Sequence, residues 1–394
     1  MARDGARLRS EQRQALRDLA ACRTAALGGH EEGCDACGQR RFAYNSCRNR
    51  HCPKCQASAR ARWLEARQAE LLDVPYFHVV FTLPAELGPL ALANQRVVYA
   101  FLFQAAAATL LQIAAQPQHL GAKIGFLAVL HTWGQNLMHH PHLHCVVPAG
   151  GFSADGQRWI EGRPNFFLPV RILSRVFRGK FMALLKQAFR SGRLRCCGDP
   201  SSRADADAFE RLLDRSVRTD WVVYAKPPFG GARQVLKYLA RYTHRTAISN
   251  ARLSAFDGER VAFQWKDYAD GNQQKTMTLT SREFTRRFLM HVLPRGFTRI
   301  RYFGYLANRH RREKLAAARQ LLGREAHRLP AEPPPQPVAS AEPADELDAV
   351  ARCSVCSAGR MQRLTELTPY APPKLRWLLP RAARSQRHPW SDTS

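Results

Sequence analysis

The stretch from Ile124 to Val147, IGFLAVLHTWGQNLMHHPHLHCVV, decides how this chain is read. Two apolar runs, Ile124–Thr132 and His142–Val147, flank a polar turn rich in histidine, and runs of this kind are strands. Side chains alternate along a strand. His142, His144 and Val146 therefore share one face, and Leu143, Cys145 and Val147 share the other. Two imidazoles on one face can hold a single divalent ion. The alternative is a merely structural pair in a His-rich region. A third ligand is expected close by: Gln135, near the end of the preceding strand, is placed to reach across, and His131 and His139 compete for the role. Imidazoles with an amide oxygen leave coordination positions open, which suits Mg2+ or Mn2+ holding a phosphate.

Working outward, Tyr76–Leu83 (YFHVVFTL) is a β-branched, aromatic run closed by Pro84, hence a strand. Ala93–Ala115 is a helix by length and alanine content. Its core is the most apolar part of the chain, yet Gln104, Thr109 and Gln112 interrupt it, so it reads as a buried helix rather than a membrane span. Phe177–Arg190 is helical, with Gly179 weakening its first turn. Asp220–Tyr224 is a strand, Gln234–Thr243 a helix, and Val261–Trp265 with Thr276–Thr280 a hairpin around Asp270-Gly271-Asn272. The sum is an α+β chain with a mostly antiparallel sheet flanked by helices.

The 394 residues include 60 Lys+Arg against 32 Asp+Glu, a net charge of +28, with an ordinary 45% of hydrophobic residues. Such a balance excludes a generic metabolic enzyme as first reading and points to a polyanionic partner. Arginine supplies 50 of the 60 cations, and arginine makes bidentate phosphate contacts and stacks on bases. The opening MARDGARLRSEQRQALRD has no signal-peptide core, so a cytoplasmic chain without a membrane partner is expected. Composition divides the chain into residues 1–72 around a cysteine cluster, 73–328 with alternating strands and helices, a Pro-rich linker over 329–349, and a basic tail over 350–394.

Cys34-x-x-Cys37 and Cys52-x-x-Cys55 stand 14 residues apart. Two such knuckles complete a tetrahedral zinc site, so these four are read as one structural Zn2+ centre in a zinc-ribbon-like N-terminal domain. His30, Cys47 and His51 nearby are read as solvated loop residues. Arg48, Arg50 and Lys54 give the loop a cationic surface suited to phosphate contact, or simply a soluble one. The tail's Cys353-x-x-Cys356 has no second pair after it and reads as a degenerate knuckle.

Tyr238 and Tyr242 are spaced to share one helix face, with Lys237, Arg241, His244 and Arg245 around them. A phenol with a pKa near 10 becomes a nucleophile when nearby positive charge or a metal assists it; otherwise such a pair is an aromatic stripe of the core.

These motifs in this order resemble the two-tyrosine rolling-circle insertion-sequence transposases of the HUH (His-hydrophobic-His) endonuclease superfamily. The resemblance rests on CRNRHCPKCQ, on FTLP at Phe81–Pro84, on HTWGQ followed by HPHLHCVVPAGG at His131–Gly151, on YLARYTHR, and on YFGYLANRHRR at Tyr302–Arg312. It implies that His142 and His144 bind the catalytic metal and that Tyr238 and Tyr242 are the nucleophiles. It further implies nicking and rejoining of single-stranded DNA at element ends and at the target, through 5′-phosphotyrosine intermediates, with a host helicase as a further partner. Arg299, Arg301, Arg309, Arg311 and Arg312, interleaved with Tyr302, Phe303 and Tyr305, have the mixture suited to single strands, or form a helix with one solvated basic face. Two rivals remain: a replication initiator or relaxase with the same chemistry, and a non-catalytic zinc-ribbon regulator. The absence of a GxxxxGK[ST] motif and the cysteine-rich N-terminus favour the transposase.

Overall fold

The computed structural model describes residues 8–163, 165–195, 201–226, 247–268, 270–326 and 352–370, together with Arg233, Leu236, Lys237 and Ala240. Tyr238, Tyr242, Arg241, Arg245 and the linker at 329–349 lie outside the described residues. The first elements in chain order are α1 (Ser10–Ala21), β1 (Gly29–Cys34), β2 (Arg40–Tyr44), α2 (Ala57–Gln68), β3 (Tyr76–Thr82), α3 (Gly88–Ala93) and α4 (Gln95–Ala115). Next come β4 (Gly125–Trp133), β5 (His139–Pro148), β6 (Gly150–Phe152), β7 (Trp159–Glu161), α5 (Val170–Arg190), α6 (Arg203–Val217) and β8 (Val223–Lys226). The last are β9 (Leu253–Phe256), β10 (Arg260–Asp267), β11 (Gln273–Thr280), α7 (Ser281–Met290), β12 (Ile300–Gly304), α8 (Arg311–Ala326) and β13 (Met361–Leu367).

The chain divides into two units, Met1–Cys55 with Gln336–Ser394, and Gln56–Pro335. The boundary expected after residue 72 falls at Cys55 because α2 belongs to the second unit. Its Trp63 and Leu64 pack on a cluster containing Val129 and Val146. The tail expected to stand apart joins the first unit: β13 pairs antiparallel with β1, which pairs with β2, in the order β13-β1-β2.

The second unit is built on a five-stranded sheet in the order β12-β4-β5-β3-β8, antiparallel at every pairing. One face carries Phe77, Val79, Phe81, Phe126, Leu143 and Cys145. With α4, α5 and α6 it forms the main core. Helix α4 is apolar on most of its surface because most of it is enclosed. Its Thr109 is buried with the hydroxyl donating to the Ala105 carbonyl at 2.7 Å, while Gln104 and Gln112 reach solvent. By length and composition it could cross a membrane; here it is a core helix. Helix α5 begins at Val170, seven residues before the start expected, since Leu173 and Phe177 already face the core. The hairpin expected around Gly271 is β10–β11, extended at both ends and joined by β9.

The other sheet face carries Tyr76, His78, Val80 and Thr82 from β3, His142, His144 and Val146 from β5, and Leu127, Val129 and His131 from β4. Register sets them together: Val80 pairs with His144, Val129 with His144, and His131 with His142. The helical residue Leu236, 2% exposed, packs on Tyr76, Leu127, Val129 and Val146 of this same face.

Candidate metal centre and cysteine clusters

Strand alternation delivers the two histidines of the HLH motif to one side, as the sequence requires. The antiparallel register then supplies a third, since His131 stands directly opposite His142. Ligand nitrogens of His131, His142 and His144 all lie within 4.8 Å of one another. Such a set fits one transition-metal or Mn2+ ion with open positions left over. Gln135, the ligand proposed from sequence, sits in the β4–β5 turn beyond Trp133, and its backbone carbonyl accepts from Arg252. At about 3.4 Å per strand residue, the turn is two or more residues past the level of His131 and His142, so the group that converges with the pair is His131 rather than Gln135. His139 instead turns to the opposite side of the strand, its Nε2 at 2.7 Å from the Tyr99 hydroxyl.

The rings are pre-set by their own hydrogen bonds. His142 Nδ1 lies 2.7 Å from the His140 carbonyl, which can only accept, so Nδ1 carries the hydrogen and Nε2 keeps its lone pair. His144 Nδ1 lies 2.7 Å from Nε2 of His78, and the two rings stack at 4.9 Å. Trp133 stacks on His131 at 4.9 Å. Burial lowers the pKa of His142 and of His78 to about 4, and drives those of His131 and His144 well below the usual 6.5. The imidazoles are therefore neutral at neutral pH, the form that binds a metal.

His78 was missed from sequence. The signal was present: it is the one basic residue in YFHVVFT and falls on the Tyr76/Val80 side of the alternation. Lys226, opposite His78 on β8, adds a cation to the same face.

In the first unit the four thiols expected to share one site are divided between two. Cys34 and Cys37 join Cys353 and Cys356, whereas Cys52 and Cys55 join Cys22 and Cys47. The reason is the hairpin between them. Cys34 and Cys37 form the turn from β1 to β2, and five residues of β2 then carry the chain about 17 Å away, at about 3.4 Å each. There Arg23 N–H donates to the Asn45 carbonyl at 3.1 Å, bringing Cys22 beside Cys47. Cys47 is thus a cluster member and His51 is buried against Asn49, rather than both being solvated. The 353–356 pair is an ordered knuckle, with amides of Gly359 and Ala358 holding the Cys356 thiol down at about 6.

Of the proposed DNA contacts, Arg48, Lys54, Lys237 and Arg309 are exposed, and Arg50 is half-buried. The Arg/aromatic segment is more structural than its composition suggests, and its first part is the strand β12 rather than a helix, because Ile300–Gly304 pairs with β4. Arg299 and Tyr305 are buried, Arg301 lies 4.3 Å over the Phe103 ring, and Arg311 bonds Glu70 at 3.2 Å and covers Tyr302. Arg309 and Arg312 remain open to solvent.

Residues 125–314 match the family described as "Putative transposase", and residues 1–83 match "Transposase zinc-binding domain". The protein called "Putative transposase y4qJ" of Sinorhizobium fredii (strain NBRC 101917 / NGR234) is 54% identical over 359 residues, spanning 90% of this chain and 89% of that one. The transposase for insertion sequence element IS801 of Pseudomonas savastanoi pv. phaseolicola is 30% identical over 310 residues, 77% of this chain and 72% of that one. Among solved structures, the conjugative relaxase TrwC with oriT DNA, metal-bound, aligns at a TM-score of 0.23 and 16% identity, over 44% of this chain and 66% of that one. The chain belongs to the family of insertion-sequence transposases that includes the IS801 transposase, and it carries that family's zinc-binding domain at its N-terminus.

Proposed function

We propose that this transposase cuts and rejoins single-stranded DNA at element ends through covalent tyrosine–DNA intermediates, with a metal at His131, His142 and His144. The observation that carries the reading is the convergence of three neutral imidazoles on one sheet face, with His142 Nε2 left available by the bond from Nδ1. A divalent ion such as Mg2+ or Mn2+, when bound, withdraws charge from the scissile phosphate and so assists a nucleophile that is weak at neutral pH.

The chain's own residues do the rest. His78, with its Nε2 2.7 Å from His144 Nδ1, holds the ring of His144; with the shared hydrogen on His144 Nδ1, its Nε2 is the nitrogen left for the metal. Leu236 and Ala240, helical residues that are both buried, flank Tyr238 in sequence, with Leu236 seated on the histidine face. One tyrosine oxygen attacks phosphorus, the bond to the 3′ oxygen breaks, and that oxygen leaves as a 3′-hydroxyl. The phosphorus stays on the tyrosine as a 5′-phosphodiester, so rejoining needs no external energy source. A second tyrosine can accept the next strand before the first is released. Exposed Arg48, Lys54, Lys237 and Arg309 supply phosphate contacts, and Arg241 and Arg245 are assigned the same role from their sequence positions.

The test is a denaturing gel of the purified protein incubated with labelled single-stranded end DNA and Mg2+ or Mn2+. A protein–DNA adduct is expected, lost on chelation and lost in Tyr238→Phe/Tyr242→Phe. Salt-sensitive DNA binding with no adduct, or an adduct undiminished in that double variant, would overturn the reading.

A further inference from the structure

We propose that the first unit holds two separate four-thiolate zinc sites, and that one of them joins segments more than 300 residues apart: Cys34 and Cys37 with Cys353 and Cys356. The second is Cys22, Cys47, Cys52 and Cys55. The matched zinc-binding domain ends at residue 83, so it leaves the Cys353/Cys356 pair without a role.

Four features of the joined site converge. The sulfurs meet crosswise, Cys34 to Cys356 and Cys37 to Cys353, each at 3.7 Å across 322 and 316 residues. A tetrahedron with Zn–S near 2.3 Å has edges of about 3.75 Å, whereas a disulfide would need about 2.05 Å. The two knuckles also fold alike. Gly38 N–H donates to the Cys34 carbonyl as Ser357 N–H does to Cys353, and both Gly38 and Ser357, each just after the second cysteine, have positive φ. For Ser357 this conformation is costly and persists where surroundings impose it, as at ligand clamps. Third, the knuckles are bonded to each other: Asp35 N–H donates to the Arg360 carbonyl at 3.1 Å, and Arg360 N–H donates to Asp35 Oδ1 at 2.8 Å. Fourth, Gly359 leaves no room for a side chain, because a Cβ there would strike Cys34 Sγ.

The second cluster repeats the signature. Cys47 and Cys55 sulfurs lie 3.7 Å apart, and Arg23 and Arg48, the residues after Cys22 and Cys47, both have positive φ. Among the described residues, three of the six non-glycine positions with positive φ thus directly follow a clustered cysteine.

The consequence is that the first unit is discontinuous. Its third strand, β13, and half of one zinc site come from beyond the whole second unit, so a chain stopped before residue 350 lacks a complete N-terminal domain. That inference stands whether or not the tyrosine chemistry does.

Zinc content of the full-length protein, measured by elemental mass spectrometry, tests it. Two ions per chain are expected, falling to one in Cys353→Ser/Cys356→Ser and to one in Cys22→Ser/Cys47→Ser. One ion in the parent protein, or two retained in Cys353→Ser/Cys356→Ser, overturns the proposal. Because serine variants can lose the whole domain, a second measurement decides that case: a protease site placed within 330–348 of the otherwise unaltered chain. After cleavage the C-terminal fragment should co-elute with the remainder and be released by a zinc chelator. A fragment that separates while all zinc stays with the larger piece overturns the proposal.

Discussion

Removing His78 isolates the contribution of ring orientation to metal binding. His78 is not one of the three converging imidazoles, yet its Nε2 stands 2.7 Å from His144 Nδ1, and their rings are stacked within 13° of parallel. In His78→Ala the His144 ring loses the hydrogen bond and the stacking that His78 gives it, and is held less firmly. Partners of this kind, when removed, cost 10- to 100-fold in metal affinity, or about 1.4–2.8 kcal/mol. The predicted outcome is a Mn2+ dissociation constant raised by that factor, measured by calorimetry, and an equal rise in the Mn2+ needed for half-maximal adduct formation. At saturating Mn2+ the adduct yield should recover. The alanine also leaves a cavity, so Val80→Ala serves as control. Val80 is 3% exposed and is the register partner of His144, but offers it no hydrogen bond. Losing two buried methyls costs about 1.6 kcal/mol of stability or somewhat more, with metal affinity unchanged. If His78→Ala binds Mn2+ within twofold of the parent, or Val80→Ala weakens it as much, the orientation argument is wrong.

Other perturbations address the frame. Leu236→Asp places a charge among Tyr76, Val129 and Val146; it should abolish adduct formation while three-histidine metal binding persists, and a variant with normal adduct yield would refute the docking role. Gly304 has φ of +59° and no room for a Cβ against the Ile124 carbonyl, so Gly304→Val should lose roughly 3 kcal/mol or more in urea unfolding; an unchanged midpoint would count against it. Acid should also destabilise the second unit. Burial lowers His291 to about 3 and His78 to about 4, so below the unfolded value of about 6.5 the unfolded chain takes up protons that the folded one refuses. Stability is then full above that pH and declines as pH falls from about 6.5 toward 4, read as a falling Tm. A Tm that is flat from pH 7 to 5 would contradict this.

The legible parts of the sequence are those where local pattern and tertiary demand agree. Strand alternation in HPHLHCVV gives the faces of β5 correctly because both faces are buried and any slip would exchange them. The third ligand was ambiguous because it depends on pairing register rather than local order. Gln135 and His131 are similarly near His142 in sequence, and only the β4–β5 ladder shows His131 opposite it. The cysteine partition failed for a related reason. A spacing rule assumes that knuckles close in sequence meet, whereas the β1–β2 hairpin carries these two apart and each finds partners elsewhere. Helix α6 was overlooked because its RADADAFERLLDRSV is largely charged; only Phe209, Leu213 and Ser216 are buried. Arg301 and Tyr305 were read as surface, since composition cannot tell a guanidinium stacked on Phe103 from one facing solvent.

The central sheet makes stability and chemistry depend on the same register. Its Phe77/Val79/Phe81 face is closed by α4, α5 and α6, and its other face holds the imidazoles. Because the side-chain period is two, one residue inserted between Pro141 and Val147 would send His142 and His144 into the apolar core and bring Leu143 or Cys145 to the metal face. Folding thus disfavours every odd slip, since it would turn the imidazoles into the apolar core and Leu143 out of it. The cost of burying a polar group unpaired, about 1–3 kcal/mol each, is charged to any mis-registered sheet, while the native one meets it with the His140 carbonyl and the His78 ring. The hydrogen bonds that orient the imidazoles for a metal are therefore the same ones that make their burial tolerable, and a variant that removes them should lose metal affinity and fold stability together, in a ratio that Val80→Ala does not reproduce.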